Sequence, residues 1–104
     1  MSRPRFTIRA RAVRDLVGHA DWLRQEADGE TADRFLQAAQ RSFGALAETP
    51  GLGGEAGVRA AELKGARKWR VDGFPNHLIF YAPRDDGRIA ILRVLHAARN
   101  WMAP

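Results

Sequence analysis

Hydrophobic and polar residues change their spacing along the chain, and these changes predict a short strand followed by two helices. Phe6-Thr7-Ile8 has the short apolar run of an opening strand. From Ala12 to Ala27 the apolar residues recur at every third or fourth position, which predicts an amphipathic helix. A second helical stripe begins at Glu30 or Thr31 and ends at Thr49-Pro50-Gly51, since proline and the residue before it disfavour helical geometry.

The last third of the chain contains three apolar runs of strand length, at residues 66–71, 76–82 and 89–99. Turn residues separate them, and runs bounded in this way are typical of an antiparallel meander. The Asp86-Gly87 dipeptide suits the positive φ values of a tight hairpin. The sequence therefore predicts an α+β domain with an N-terminal strand, a two-helix antiparallel hairpin and a three-stranded antiparallel meander, the helices packing on one face of the sheet.

Length and composition limit the classes of protein to be considered. A chain of 104 residues is long enough for one hydrophobic core, so we expect a single domain over residues 1–104. The absence of cysteine excludes disulfides and thiolate metal sites. No apolar run approaches the ~20 residues of a membrane span and no signal-peptide core follows the basic N-terminus, so the sequence predicts a cytoplasmic protein.

The positive charge is concentrated in the strand region. Residues 1–58 carry eight basic and eight acidic side chains, whereas residues 59–104 carry nine basic and four acidic ones, which gives the formal net charge of +5. A solvated basic face is one interpretation. The one we favour is an electrostatic surface for nucleic acid or an acidic protein, on which the sheet brings together Arg67, Arg70, Arg93 and His96.

The ionisable residues form no motif for a metal or a cofactor. Three scattered histidines lack metal-ligand spacing, and the glycine-rich residues 51–57 lead into a strand, unlike a phosphate-binding loop. We therefore expect neither a metal nor a cofactor. Alternation along the strands predicts that Trp69 faces the core and that only one of Phe80 and Tyr81 does so, and we expect His19 to be exposed on the first helix.

Six short motifs occur in a fixed order along nearly the whole chain. They are Ala12-x-x-Asp15-Leu16, Ala32-x-x-Phe35-Leu36, Leu46-Ala47-x-x-Pro50-x-Leu52-Gly53, Gly65-Ala66-Arg67, Phe80-Tyr81, and the run Ile-Leu-Arg-Val-Leu-His-Ala-Ala-Arg at residues 91–99. Each motif alone is weak, but the ordered set is specific. In these residues the chain resembles the ParE/RelE superfamily of toxins from type II toxin–antitoxin modules, and the ParE branch most closely. The resemblance implies a RelE/ParE-like fold.

The resemblance also implies partners. Such toxins belong to plasmid-stabilisation modules and are neutralised by a cognate, acidic, ParD-like antitoxin; ParE-branch members inhibit DNA gyrase, whereas RelE-branch members cut mRNA on the ribosome. We expect antitoxin contacts at one set of residues, namely Leu16, Leu23, Phe35 and Arg67. We expect target or anion contacts at a second set, namely Arg67, Arg70, Arg93, His96 and Arg99.

The choice between the two targets depends on chemistry. RNA cleavage by a 2′-hydroxyl needs a base, an acid and cations around the phosphate, and the residues that could supply them are His96, Arg93, Arg70 and Tyr81. However, His96 lies in an apolar run, which favours a structural role. We therefore interpret the chain as a gyrase-binding toxin that arrests growth. Two alternatives stay open: a ribosome-dependent mRNA endonuclease of the RelE type, and a non-toxic basic nucleic-acid-binding module.

Overall fold

The computed structural model describes residues 5–57 and 61–98, which form an α+β fold. The helices are α1 (Ala10–Glu26) and α2 (Gly29–Glu48), and the strands are β1 (Phe6–Ile8), β2 (Gly54–Glu55), β3 (Arg67–Val71), β4 (Phe74–Pro83) and β5 (Ile89–His96). All five strands belong to one sheet in the order β1-β5-β4-β3-β2. The strand β1 runs parallel to β5, and the other neighbouring strands are antiparallel.

The structure confirms the α+β class, the two helices and the antiparallel order of the last three strands, but the sheet has more members than predicted. The first strand joins it through pairing of Phe6 with Ile89 and of Ile8 with Ile91. The glycine-rich residues 51–57, for which no strand was predicted, contribute β2, in which Gly54 pairs with Lys68. Glycine is disfavoured in strands, so the local sequence did not predict β2. The strand forms because Gly54 and Glu55 pair with β3.

The two helices are joined by a short link, and their first residues differ from the predicted ones. The N-cap of α1 is Arg9, whose side chain makes no capping hydrogen bond, so the sequence carries no start signal. The N-cap of α2 is Asp28, whose Oδ1 accepts the Thr31 N–H at 2.7 Å. The second helix therefore begins at Gly29, one or two residues before the predicted start at Glu30 or Thr31, because capping by Asp28 satisfies an otherwise unpaired amide.

Both faces of the sheet are covered. The helices bury the larger core, in which Phe35, Phe43, Ile79 and Tyr81 have no exposed surface. On the other face there is a smaller buried cluster. In it, Ala56, Leu63 and Ala66, which lie between β2 and β3 in the chain, pack with Phe80 and Leu95 of the sheet. The prediction that one of Phe80 and Tyr81 would face outward is therefore wrong. Neither described helix has the length and apolar character that crossing a membrane requires.

Candidate functional site

The strongest polar contact between the helices and the sheet joins Asp15 of α1 to Arg93 of β5. The Arg93 guanidinium donates from Nε to Asp15 Oδ2 at 2.7 Å and from Nη2 to Oδ1 at 3.0 Å, and it also contacts Glu62 Oε1 at 3.0 Å. The side chains of Arg93 and Asp15 are only 17% and 13% exposed. The hydrogen bond to Asp15 raises the pKa of Arg93 above its ordinary value, so this charge is committed to holding α1 on the sheet.

Asp15 and His19 also occupy the backbone edge of β5 beyond the end of β1. The Val94 N–H donates to Asp15 Oδ2 at 3.0 Å, and His19 Nε2 lies 2.6 Å from the Val94 carbonyl oxygen. Because a carbonyl oxygen only accepts, Nε2 is the protonated nitrogen of His19. Residues four apart on one helix face thus satisfy both edge groups of Val94, as a neighbouring strand does elsewhere in a sheet.

The three histidines lie in one column that runs from the interior toward the surface. The ring of His77 packs edge-on against His19 at 4.9 Å and against His96 at 4.8 Å, between ring centroids. His19 and His77 are only 6% and 4% exposed, so the prediction that His19 is exposed to solvent is wrong. His96 is half-buried, and its Nδ1 accepts the Ala98 N–H at 3.1 Å.

The hydroxyl group of Tyr81 ties β4 to the turn that follows α2. It donates to the Pro50 carbonyl oxygen at 2.5 Å and accepts the Gly53 N–H at 3.0 Å. A Cβ atom at Gly53 would lie 2.5 Å from the Lys68 carbonyl oxygen and 2.7 Å from this hydroxyl, so only glycine fits there. These contacts join the motif that ends at Gly53 to the Phe80-Tyr81 motif.

The structure does not gather the predicted anion-binding residues into one cluster. Arg67 pairs with Tyr81 on the helix-covered face, whereas Arg70 pairs with Leu78, which lies against the smaller core on the other face. The guanidinium of Arg70 stacks over the partly buried Trp69 ring at 4.8 Å. Arg93 is held by Asp15, as described above, and Arg99 lies outside the described residues.

The apolar residues predicted to contact an antitoxin lie in the core. Phe35 has no exposed surface, and Leu16 and Leu23 are each 8% exposed. In this structure they hold the helices on the sheet, and their contact with an antitoxin stays a prediction. The large apolar side chains that do reach solvent include Val13 and Val17, neighbours one turn apart on α1, which are 44% and 55% exposed.

A groove that the sequence did not reveal lies where β1 leads into α1. It has a volume of about 420 Å³ and is lined by residues from the start of α1, from the 3₁₀ turn Ala61–Leu63 and from β5, namely Arg9, Ala10, Arg11, Glu62, Leu63, Leu92 and Arg93. We call it the α1–β5 groove. Glu62 joins its sides through ion pairs with Arg11 and Arg93. Among the described residues no group of three or more side chains could hold a metal ion.

These features define a small basic α+β domain in which polar groups such as Asp15, Arg93 and Tyr81 hold the fold together, while Val13 and Val17 are among its exposed side chains. A family model described as the ParE toxin of the type II toxin–antitoxin system, parDE, matches residues 6–101. The chain therefore belongs to this family of toxins, as its motifs predict, and the family implies an antitoxin as its partner. No curated protein matches the chain significantly.

Proposed function

We propose that this toxin arrests growth by binding DNA gyrase, without bond-breaking chemistry of its own, and that an acidic ParD-like antitoxin neutralises it. Trapped gyrase cleavage complexes would then block replication. The proposal rests chiefly on one observation: Tyr81 and Arg93, two of the side chains that an RNA-cleaving site would use, are engaged in holding the fold.

Tyr81 and Arg93 carry most of this argument. A general acid must reach the leaving oxygen of its substrate, but the Tyr81 ring and hydroxyl are fully buried and hydrogen-bonded to backbone groups. A cation that stabilises a phosphate must be able to contact it, but both ends of the Arg93 guanidinium already meet carboxylates. The contacts of both residues therefore favour a structural role over a catalytic one.

His96 is the remaining candidate for proton transfer. It packs against His77 across the β4–β5 pair, and Trp22 of α1 lies 6.2 Å away between ring centroids. Its Nδ1 already accepts a backbone N–H. Arg70, which could supply charge, occupies a register position on the opposite face of the sheet from His96, because Arg70 pairs with Leu78 and His96 with His77, and its guanidinium is stacked over the Trp69 ring. This separation favours binding over catalysis.

The antitoxin part of the proposal rests on charge and on exposed apolar surface. The net charge of +5 favours an acidic partner. Val13 and Val17 form an exposed aliphatic pair on α1, and such pairs on helices are common contacts for an amphipathic segment. An acidic antitoxin with an amphipathic segment matches both features.

The test is expression of the toxin with and without the product of the adjacent reading frame. We expect the toxin alone to cause filamentation and DNA damage, and co-expression with the neighbouring product to restore growth and give a complex that co-purifies. Loss of cellular mRNA within minutes, with no DNA damage, would instead identify the ribosome-dependent endonuclease. Normal growth of cells with a folded toxin would identify the non-toxic nucleic-acid-binding alternative.

A further inference from the structure

The α1–β5 groove owes its shape to an irregularity in β5. Phe80 pairs with Arg93 and Tyr81 pairs with Ile91, so Leu92 is an extra residue without a partner in β4. Successive residues of a regular strand point to opposite faces, but a bulge redirects one of them. Leu92 and Arg93 therefore both line the groove, and an apolar and a cationic side chain lie next to each other.

The end of β1 places a third element at the same point. The Arg9 N–H donates to the Ile91 carbonyl oxygen at 2.9 Å, immediately before the bulge, and the chain then enters α1. The side chain of Arg9 is exposed and forms no ion pair with any residue in the described parts of the chain. Arg9 is thus a cation available at the edge of an apolar groove.

The groove has an excess of positive charge beside apolar surface. Its arginines at positions 9, 11 and 93 meet two carboxylates, that of Glu62 and, on Arg93, that of Asp15, so the charge of Arg9 is left without a counter-charge among the described residues. The partly buried Leu92 supplies the apolar surface, since Leu63 is only 2% exposed. A volume of about 420 Å³ lies in the range of pockets that enclose small ligands or a few side chains, roughly 300–1,000 Å³. A phosphate backbone has no apolar group that would pack on Leu92, whereas a peptide with alternating acidic and apolar residues does.

We propose that the α1–β5 groove binds an acidic segment of the antitoxin, which places an apolar side chain on Leu92 and a carboxylate against Arg9. This inference rests on the function proposed above, because it names where that partner is held. Glu62 already pairs with Arg11 and Arg93, so the partner carboxylate binds at Arg9, which forms no ion pair within the described residues.

The experiment measures the Kd of the purified toxin for the adjacent-frame protein by calorimetry. Arg9→Glu is compared with Arg24→Glu, since both residues are exposed, Arg9 as the N-cap of α1 and Arg24 in its last turn, and both changes alter the net charge equally. Arg24 lies about 22 Å from Arg9 along the helix axis. Leu92→Ala is compared with Leu78→Ala, because both leucines are partly buried against the smaller core but only Leu92 lines the groove. Melting curves establish that each variant is folded.

We expect Arg9→Glu and Leu92→Ala each to weaken binding about 10-fold or more, and the two controls to change it by less than about 2-fold. Should the unchanged toxin bind and all four variants bind equally well, the groove assignment is wrong while the antitoxin pairing stands. Lack of any binding by the unchanged toxin rejects both. If Arg9→Glu keeps its antitoxin affinity but loses gyrase inhibition, the groove belongs to the target, which also overturns the inference.

Discussion

Asp15 of α1 and Arg93 of β5 form a bidentate ion pair across 78 residues of sequence, and the same carboxylate accepts the Val94 N–H. Removing one partner of a mostly buried pair leaves the other charge without compensation. We expect Asp15→Asn to lower the free energy of unfolding by about 2–4 kcal/mol, measured by urea denaturation.

The control is Asp21→Asn on the same helix. Asp21 pairs with Arg24 at 2.9 Å, but the two side chains are 60% and 48% exposed, and exposed pairs contribute roughly 0–1 kcal/mol. Equal losses for Asp15→Asn and Asp21→Asn would show that burial does not strengthen the Asp15–Arg93 contact.

The hydroxyl of Tyr81 gives a second stability prediction. Tyr81→Phe keeps the ring but leaves the Pro50 carbonyl and the Gly53 N–H without their partner, so we expect a loss of about 1–3 kcal/mol. Gly53→Ala should be at least as damaging, because its Cβ would meet the Lys68 carbonyl oxygen. Gly18→Ala is the control, since nothing lies within 4 Å of its added Cβ. Thermal melting of the three variants checks this order.

The pH dependence of stability should include a contribution from Asp28. Its hydrogen bonds with Thr31 lower the pKa of the carboxyl below its usual 3.8. A lowered pKa means that the charged form stabilises the fold above the unfolded-state pKa, and that this contribution is lost as the pH falls through the folded-state value. Asp28→Asn keeps a good N-cap without the titrating group. Its melting temperature should therefore fall less than that of the unchanged chain between pH 5 and pH 2.5, and parallel curves would contradict this.

Substitution of His96 distinguishes a structural role of its imidazole from a catalytic one. If its imidazole only packs and accepts the Ala98 N–H, His96→Gln should lower stability by about 1–2 kcal/mol and leave toxicity in place. If it transfers a proton, the same change should reduce activity about 10²-fold or more with little effect on melting. Growth-inhibition titration and melting of the same variant distinguish these results.

The sequence was most informative where hydrophobic periodicity and local structure agree. The stripes of α1 and α2 predicted the helices because each helix buries one face along its length. The apolar runs bounded by turn residues predicted β3, β4 and β5. The two-residue strand β2 and the burial of His19 depend on partners far away in sequence. No local rule could predict that the Val94 carbonyl oxygen would accept a hydrogen bond from His19, which lies 75 residues earlier in the chain.

The candidate site was harder to predict for two reasons. Arg67 and Arg70 are three residues apart, and the alternation of a strand alone places such residues on opposite faces, so this signal was present in the sequence. The groove at Leu92 had no comparable signal, because the bulge exists only in the pairing of β4 with β5. Asp15 and Arg93 both occurred in the motifs, but only the structure joined them.

The central claim is that the toxin acts by binding gyrase, and the most direct measurement is a titration of gyrase supercoiling at a gyrase concentration well above the Kd. A binder consumes its target stoichiometrically, so inhibition should be half complete near half an equivalent of toxin, and the antitoxin should reverse it. In parallel, ribosomes translating a defined mRNA should leave that mRNA intact. Multiple cleavages per toxin molecule on the ribosome, with supercoiling unaffected, would contradict the account and assign the chain to the endonuclease class.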